Sequence, residues 1–395
     1  MNEIVKDWFD RLEAVYPDMV AWRRHLHQHP ELSFQETETA RFIAGRLRHF
    51  GLPVREGVGG NGLIARIEGK SEGPVIAFRA DFDALPIADE KDAPYKSQVP
   101  GVMHACGHDG HTATLLGTAR VLAENRDKLR GTLVLIFQHA EEQPPGGAQA
   151  MIEGGCLDGV EAIFGAHLTT QLPLGTLGIR AGAAMASADV FKITVRGRSG
   201  HGARPHQAVD ALLAGTEIVG QLHRIVSRRI DPLQPAVLSI GIFQSGTSCN
   251  VVADSARIEG TVRAFDEEVR ARIEEEIRTV VRGVCEAAHA GFEVEYERGY
   301  PCLVNHERET LAVRQAAAGH LPEIAVVENK PKMSTEDFAF YLQKVPGAFY
   351  NIGARNADPR THYTNHHPKF DFDESAMLVS GKLFLSLAAR YLLAR

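Results

Sequence analysis

The sequence predicts an α/β protein: a mostly parallel central sheet flanked by helices, interrupted by an inserted α+β unit of ferredoxin-like βαββαβ order. Three observations predict it. Apolar runs of strand length alternate with helical periods as far as Gly165, the pattern of strands laid parallel by crossover helices. From about Asp189 to Glu297 the rhythm becomes strand, helix, strand, strand, helix, strand, a self-contained small domain in its own right. The alternation then returns from about Tyr300, and 395 residues are more than one ordinary core accommodates.

The elements follow in order. An amphipathic period over 5–29 marks a first helix, closed by Pro30. Ser33-Phe34-Gln35-Glu36 has the capping-box pattern, so a second helix should start there and run to Phe50, with Gly51 as its stop. Residues 62–67 and 74–78 read as strands, 112–125 as a helix, 132–137 as a buried strand, 148–152 as a helix start and 162–165 as strand again. In the inserted unit, strands are expected at 190–195, 237–243, 256–264 and 292–297, and helices at 210–227 and 267–288. A last helix covers 374–393. The simplest division gives 1–186 with 299–395 to the main domain and 187–298 to the insertion.

Hydrophobic residues make up 44% and charged residues 24% of the chain, the balance of a soluble globular protein. The formal net charge of −7 argues against nucleic acid, whose phosphates demand concentrated Lys and Arg. The first residues lack the basic-then-apolar pattern of a secretory signal, and no apolar run approaches the ~20 residues that span a bilayer. Five scattered cysteines do not suggest a disulfide framework. The expectation is a cytoplasmic protein with reduced thiols and neither a membrane nor a nucleic-acid partner.

The densest chemistry lies in Met103-His104-Ala105-Cys106-Gly107-His108-Asp109-Gly110-His111, with three histidines, a cysteine and an aspartate in nine positions. Such side chains hold a borderline-soft divalent metal, and the two glycines leave the backbone free to wrap around it. A second run, Phe137-Gln138-His139-Ala140-Glu141-Glu142, sets adjacent carboxylates after an apolar strand. Asp81 and Asp83 follow the strand expected at 74–78, and His167 follows that at 162–165. Open α/β sheets bind ligands beyond the carboxyl ends of their strands. Three neighbouring strands can therefore deliver Asp, Glu and His to one point, with Cys106 and His108 on a nearby loop.

Each residue also has a plainer reading. Cys106 could be an inert buried thiol, but its histidine neighbours favour a ligand. Asp81 and Asp83 are read as orienting ligating histidines rather than binding metal, although Asp83 could simply cap the segment after it. Glu141 and Glu142 could be a solvated pair; in a metal site one would bind the ion and the other stay free as a base. His25, His27 and His29 stand two apart, on different helix faces, so a structural place on the helix surface and at its exit is expected. His201 alone would be an ordinary turn histidine of the inserted unit, and Arg263 a strand residue ion-paired with Glu259.

Together these runs resemble the aminoacylase/carboxypeptidase metallohydrolase family, and within it the branch of hippurate hydrolases and indole-acetyl-amino-acid hydrolases. The matching pieces are His29-Pro30-Glu31-Leu32-Ser33, Arg79-Ala80-Asp81-Phe82-Asp83-Ala84-Leu85-Pro86, Met103 to Thr112, Glu141-Glu142 and Gly165-Ala166-His167. They continue with Ser199-Gly200-His201-Gly202-Ala203, Asn250-Val251-Val252, Gly260-Thr261-Val262-Arg263, Ser334-Thr335-Glu336-Asp337-Phe338 and His366-His367-Pro368, in order along almost the whole chain. The resemblance implies two divalent metal ions per subunit, held by Cys106, His108, Glu142, His167 and His366. Cys106 is the candidate bridge, since a thiolate can join two ions where a neutral imidazole ordinarily cannot. Wider family members carry His where this chain has Asp81, a departure that fits the cysteine-containing branch. His366 is preferred to His367 by the family's spacing to Pro368. The resemblance further implies Glu141 as general base, taking a proton from the attacking water and passing it to the leaving amine. His201 would support the developing oxyanion, reaching a neighbouring subunit's site, and Asn250 with Arg263 would grip the substrate carboxylate. Glu336 and Asp337 would line the substrate rim or stand behind the ligands.

The activity implied is hydrolysis of the amide of an N-acyl amino acid (acetyl, benzoyl or similar) to a carboxylic acid and a free amino acid. Sulfur and imidazole ligands favour zinc, with manganese, cobalt and nickel as alternatives. The inserted unit would act as lid and dimerisation domain, its edge strand pairing with a twin's in a homodimer or higher homo-oligomer. The rival readings are a dipeptidase or carboxypeptidase on the same scaffold, a cysteine hydrolase with Cys106 as nucleophile, and a non-catalytic metal or ligand binder. An uncoordinated Glu141 would have no use in the last.

Overall fold

Strand Arg130–Gln138 is buried along its last six residues, a pattern that belongs to a strand covered on both faces. It lies in an eight-stranded sheet whose spatial order is Val54–Val58, Gly62–Glu68, Arg130–Gln138, Ser71–Asp81, Ala162–Pro173, Gly347–Arg355, Thr176–Gly178 and Ala325–Val327. The strands from Arg130–Gln138 to Gly347–Arg355 are parallel. The hairpin at one edge and the pairing of Gly347–Arg355 with Thr176–Gly178 are antiparallel. The sheet is therefore large and mostly parallel, as the alternation of strands and helices predicts.

The computed structural model describes residues 3–393; positions 1–2 and 394–395, the outer ends of the expected main domain, lie outside the described residues. The chain forms two units. The first takes the residues up to Gly182, Val304–Lys330 and those from Asp337 onward; the second takes Ala183–Leu303 and Pro331–Glu336. Among the described residues no helix is long and apolar enough to cross a membrane.

Helices Glu3–Gln28, His108–Glu124 and Ala376–Leu392 bury Trp8, Leu12, Met19, Leu115, Leu122 and Phe384 in one core with Phe78 and Phe164 of the sheet. Two helix starts differ from expectation. The second helix is Thr37–His49, and Glu36 at its N-cap makes no side-chain cap. The supposed capping box is occupied by tertiary bonds instead: Ser33 Oγ donates to Asp83, and Glu36 accepts from the Ala140 amide and from Asn61. The third helix begins at His108 rather than Thr112, so His108 and His111 belong to its first turn and not to a loop.

In the second unit, strands Ala236–Ser245, Ser255–Ala264, Asp189–Arg196 and Gly291–Arg298 form an antiparallel sheet in that order. Strand Asp189–Arg196 alternates strictly, with Phe191, Ile193 and Val195 buried. These three share a hydrophobic cluster with Ile218 and Leu222 of helix Ala211–Arg229 and Ile273 and Ile277 of helix Glu267–Ala287. Both helices are capped by aspartate: Asp210 accepts from Leu213 N, and Asp266 from Glu268 N and Val269 N. Val237, Ile242 and Phe243 are exposed on the edge strand Ala236–Ser245.

Candidate metal centre

Strand register sets the first row of the site. Asp81 pairs with Gln138 on one side, and Arg79 pairs with Gly165 on the other. In parallel strands, moving two residues on from Arg79 and from Gly165 brings Asp81 level with His167. Asp81, Gln138 and His167 thus share one row, with Asp83 and the Glu141–Glu142 pair just beyond the strand ends. Asp81 and His167 lie within their strands rather than after them.

Gly107 makes the opposite wall. Its φ of 94° is a left-handed conformation that turns the chain from the Cys106 segment straight into the helix at His108. Asp109 in that first turn complements the helix N-terminus. A Cβ on Gly110 would stand 2.5 Å from Phe372 Cζ and 2.8 Å from Leu168 Cδ1, so the turn needs the bare glycine to lie this close to its neighbours.

The side chains then converge. Cys106 Sγ lies 3.4 Å from His167 Nε2, and His366 Nε2 lies 3.1 Å from Glu142 Oε1. His108 Nε2 is 3.8 Å from Glu142 Oε1 and 4.0 Å from Glu141 Oε2. Two triads, Cys106–His108–His167 and Cys106–Glu142–His366, each hold their donor atoms within 4.8 Å of one another and share Cys106; His108, Glu141 and Glu142 form a third. His366, at a φ of 67°, is drawn in by its own amide, which donates to Ala105 O at 2.7 Å. His367 instead stacks on Tyr363 with ring centroids 4.4 Å apart.

Neighbouring groups orient this cluster. His108 Nδ1 meets Asp83 Oδ1 at 3.0 Å, and the other Asp83 oxygen accepts from Ser33 Oγ and the Glu142 amide. His111 Nδ1 meets Asp81 at 2.6 Å while its Nε2 accepts the Leu168 amide at 2.9 Å. Both ring nitrogens of His111 are occupied, which leaves no lone pair for an ion. His104 is buried and held neutral, its pKa pushed by burial down to about 3.

Buried polar atoms test whether a cation fits. His108 Nε2 is buried without a hydrogen bond, although such atoms are nearly always satisfied, and the Glu142 Oε1 3.8 Å away also has the His366 imidazole at 3.1 Å. A divalent cation would satisfy an imidazole lone pair, a carboxylate and a sulfur together. Electrostatics agree. Burial opposes charge on His108, yet Asp81 and Asp83 lift its pKa to about 10. Burial, with Glu142 and Glu141 adding to it, pushes the Cys106 thiol well above its ordinary value. Protons are held where a cation would replace them.

His201, Asn250 and Arg263 lie in the second unit. His201 pairs with Val251, and the Gly202 amide donates to Asn250 O, so the first two are neighbours. Arg263 is half-buried near the far end of the strand that begins at Ser255. The plainer reading of Arg263, a pair with Glu259, is not met among the described residues; Glu259 pairs with Arg257, two residues away on the same strand face.

Two buried networks behind the site escaped the sequence reading. Arg79 donates to Gln138, Asp81 and Asp337, and burial raises the Asp337 carboxyl to about 6. His27 is no surface residue: it is fully buried, with Nδ1 2.7 Å from Asp109, beside Arg23, which reaches Asp109 and Asp371. Helical geometry separates the three histidines but does not fix which face is buried. The usable signal was the apolar heptad Val5, Trp8, Leu12, Val15, Met19, Trp22, Leu26, whose inner flank at its last turn is Arg23 and His27.

Known proteins share this arrangement of chain. A family model described as peptidase family M20/M25/M40 matches residues 77–390. A Bacillus subtilis protein that carries an amidohydrolase name, YhaA, is 51% identical over 391 residues, 99% of either chain. The N-acyl-L-amino acid amidohydrolase of Geobacillus stearothermophilus is 46% identical over 305 residues, 77% of this chain and 82% of that one. The crystal structure of Bacillus subtilis YXEP, described as a dinuclear metal binding peptidase of the M20 family, matches with a TM-score of 0.83 at 38% identity. That match covers 96% of this chain and 98% of the other. The extent of these matches, the family model alone running from the strand that carries Asp81 to the last helix, places the chain in peptidase family M20/M25/M40.

Proposed function

We propose that this protein is a two-metal amidohydrolase that cleaves N-acyl amino acids into a carboxylic acid and a free amino acid. The observation that carries the reading is the sharing of Cys106 between two ligand triads, with Glu141 beside them and only 7% exposed. The amidohydrolase names of the relatives and the dinuclear site of YXEP support it. Cys106, His108, Glu142, His167 and His366 are the proposed ligands, with Cys106 the bridge. When bound, two divalent ions would polarise the scissile carbonyl and acidify water.

This chain's own residues do the rest. Glu141, held at the rim of the cluster, takes a proton from the attacking water and returns it to the leaving nitrogen. Asp83 and Asp81 fix the imidazoles of His108 and His111. His201 supports the developing oxyanion, and Asn250 with Arg263 holds the substrate carboxylate. The second unit is read as a ferredoxin-like inserted domain over 187–298, serving as lid and, through the exposed edge strand Ala236–Ser245, as dimer contact. Zinc is the proposed metal, and the cytoplasm the proposed compartment.

A dipeptidase on the same scaffold is the second reading, favoured by the peptidase description of YXEP. The test is a panel of N-acetyl, N-benzoyl and dipeptide substrates with protein reconstituted with zinc, manganese, cobalt or nickel. Turnover of N-acyl amino acids above dipeptides supports the first reading. Turnover of dipeptides alone moves the assignment to the second, and no turnover with any metal removes both.

A further inference from the structure

We propose that Arg23 is a positioning residue of the metal centre, the tie that fixes the turn bearing Cys106 and His108 against the segment bearing His366. The inference rests on the proposed ligand set.

Arg23 is fully buried. Its Nε donates to Asp109 at 2.8 Å, its Nη2 to Asp371 at 2.8 Å and its Nη1 to Glu374 at 3.2 Å. Asp109 directly follows His108, and Asp371 lies on the same short segment as His366. One planar group on the first helix therefore grips both ligand-bearing segments. The aromatic rings of Tyr95 and Phe372 lie 4.8 and 4.5 Å from its Cζ, which holds the guanidinium plane.

Neither carboxylate is free to swing away. Asp109 also meets His27 Nδ1 at 2.7 Å and accepts the Gly110 amide at 2.9 Å. Asp371 accepts from Tyr95 Oη at 2.7 Å and from the Phe372 amide at 2.9 Å. The arrangement is rigid on both sides of the arginine. It is also a weak way to gain stability, because desolvating buried ions offsets much of their attraction and apolar replacements often do as well. A fixed distance between two ligand segments needs the arginine fork itself, since lysine presents one point charge and cannot bond in three in-plane directions.

The test is metal titration of the metal-free full-length protein, with zinc and a competing chelator, on wild type, Arg23→Lys and Asp371→Asn. Folding is followed by circular dichroism and kcat by N-acyl amino acid turnover. Arg23→Lys is expected to stay folded and to bind both ions ~10–100-fold more weakly, the usual effect of losing a group that orients ligands. Its kcat should return as metal is raised to saturation. Asp371→Asn should weaken the step that uses His366 about tenfold and leave the other unchanged. Wild-type affinity at both steps in a folded Arg23→Lys, even with a lowered thermal midpoint, overturns the proposal. If Arg23→Lys does not fold, unchanged binding in Asp371→Asn overturns it. A wild type that takes up no second ion overturns the ligand reading beneath it, so the two failures are distinct.

Discussion

Asp83 meets the Nδ1 of His108 twice at 3.0 Å, with its carboxylate and with its carbonyl oxygen. Nδ1 must therefore carry a proton, and Nε2 turns toward Cys106, Glu142 and His167. The same carboxylate receives Ser33 and the amide of Glu142, so one aspartate sets the aim of two proposed ligands. Replacing Asp83 with Asn is expected to weaken metal binding ~10–100-fold, measured by chelator competition. Unchanged affinity would remove Asp83 from the site's support.

Chelation separates the metal mechanism from a thiol mechanism. Dialysis against a strong chelator should abolish turnover, and zinc or manganese should restore it. A nucleophilic Cys106 would instead survive the chelator and fall to a thiol alkylating agent.

Glu141 is expected to act in chemistry and not in holding the ions. Glu141→Gln should lower kcat by about 10²–10⁴-fold while two metals per chain remain, counted by elemental analysis. Loss of metal in this variant would make Glu141 a ligand.

Glu36 gives the fold a pH dependence of known sign. Burial raises its carboxyl from 4.5 to about 7, although Asn61 and the Ala140 amide donate to it. A carboxyl raised in the folded state favours folding fully below its ordinary value and loses that contribution as pH climbs through 7. A rise of this size amounts to roughly 3 kcal/mol. Wild type should lose that much relative to Glu36→Gln between about pH 4.5 and 8, read from urea unfolding at each pH. A constant difference would show that Glu36 ionises normally.

Gly110→Ala tests the closeness of the helix turn to the Phe372 segment. The added methyl meets Phe372 and Leu168 inside contact distance, so the variant should be about 1–3 kcal/mol less stable. Equal stability would mean that the turn has slack.

The alternation of strands and helices was legible because a buried parallel strand has to be apolar along most of its length, as 133–137 is. Cys106, His108, Glu142 and His167 stood out because metal-binding side chains crowd two short runs and one strand that reach the same end of the sheet, whereas His366 entered the proposed ligand set only through the family resemblance. Ser33 and Glu36 show the limit. Their spacing satisfies a local rule, yet the chain folds Asp83 and Ala140 against them and tertiary bonds win. Arg23 and His27 show another: their partners Asp109 and Asp371 are far away in sequence, and periodicity carries no information about a distant ion pair. The plainer reading of Arg263, an ion pair with Glu259, fails on distance: the two lie four residues apart on one strand, about 13 Å, whereas Arg257 is only two residues from Glu259.

Gly347–Arg355 inserts between Ala162–Pro173 and Thr176–Gly178, which has a consequence for how the protein is made. On the ribosome, Ala162–Pro173 must wait with an open edge while the 173 residues from 174 to 346 are synthesised. At ~5–20 residues per second that is roughly 9–35 s, a long exposure for an apolar strand that can pair with any passing chain. His366 emerges later still. Until then a nascent chain lacks part of the proposed ligand set.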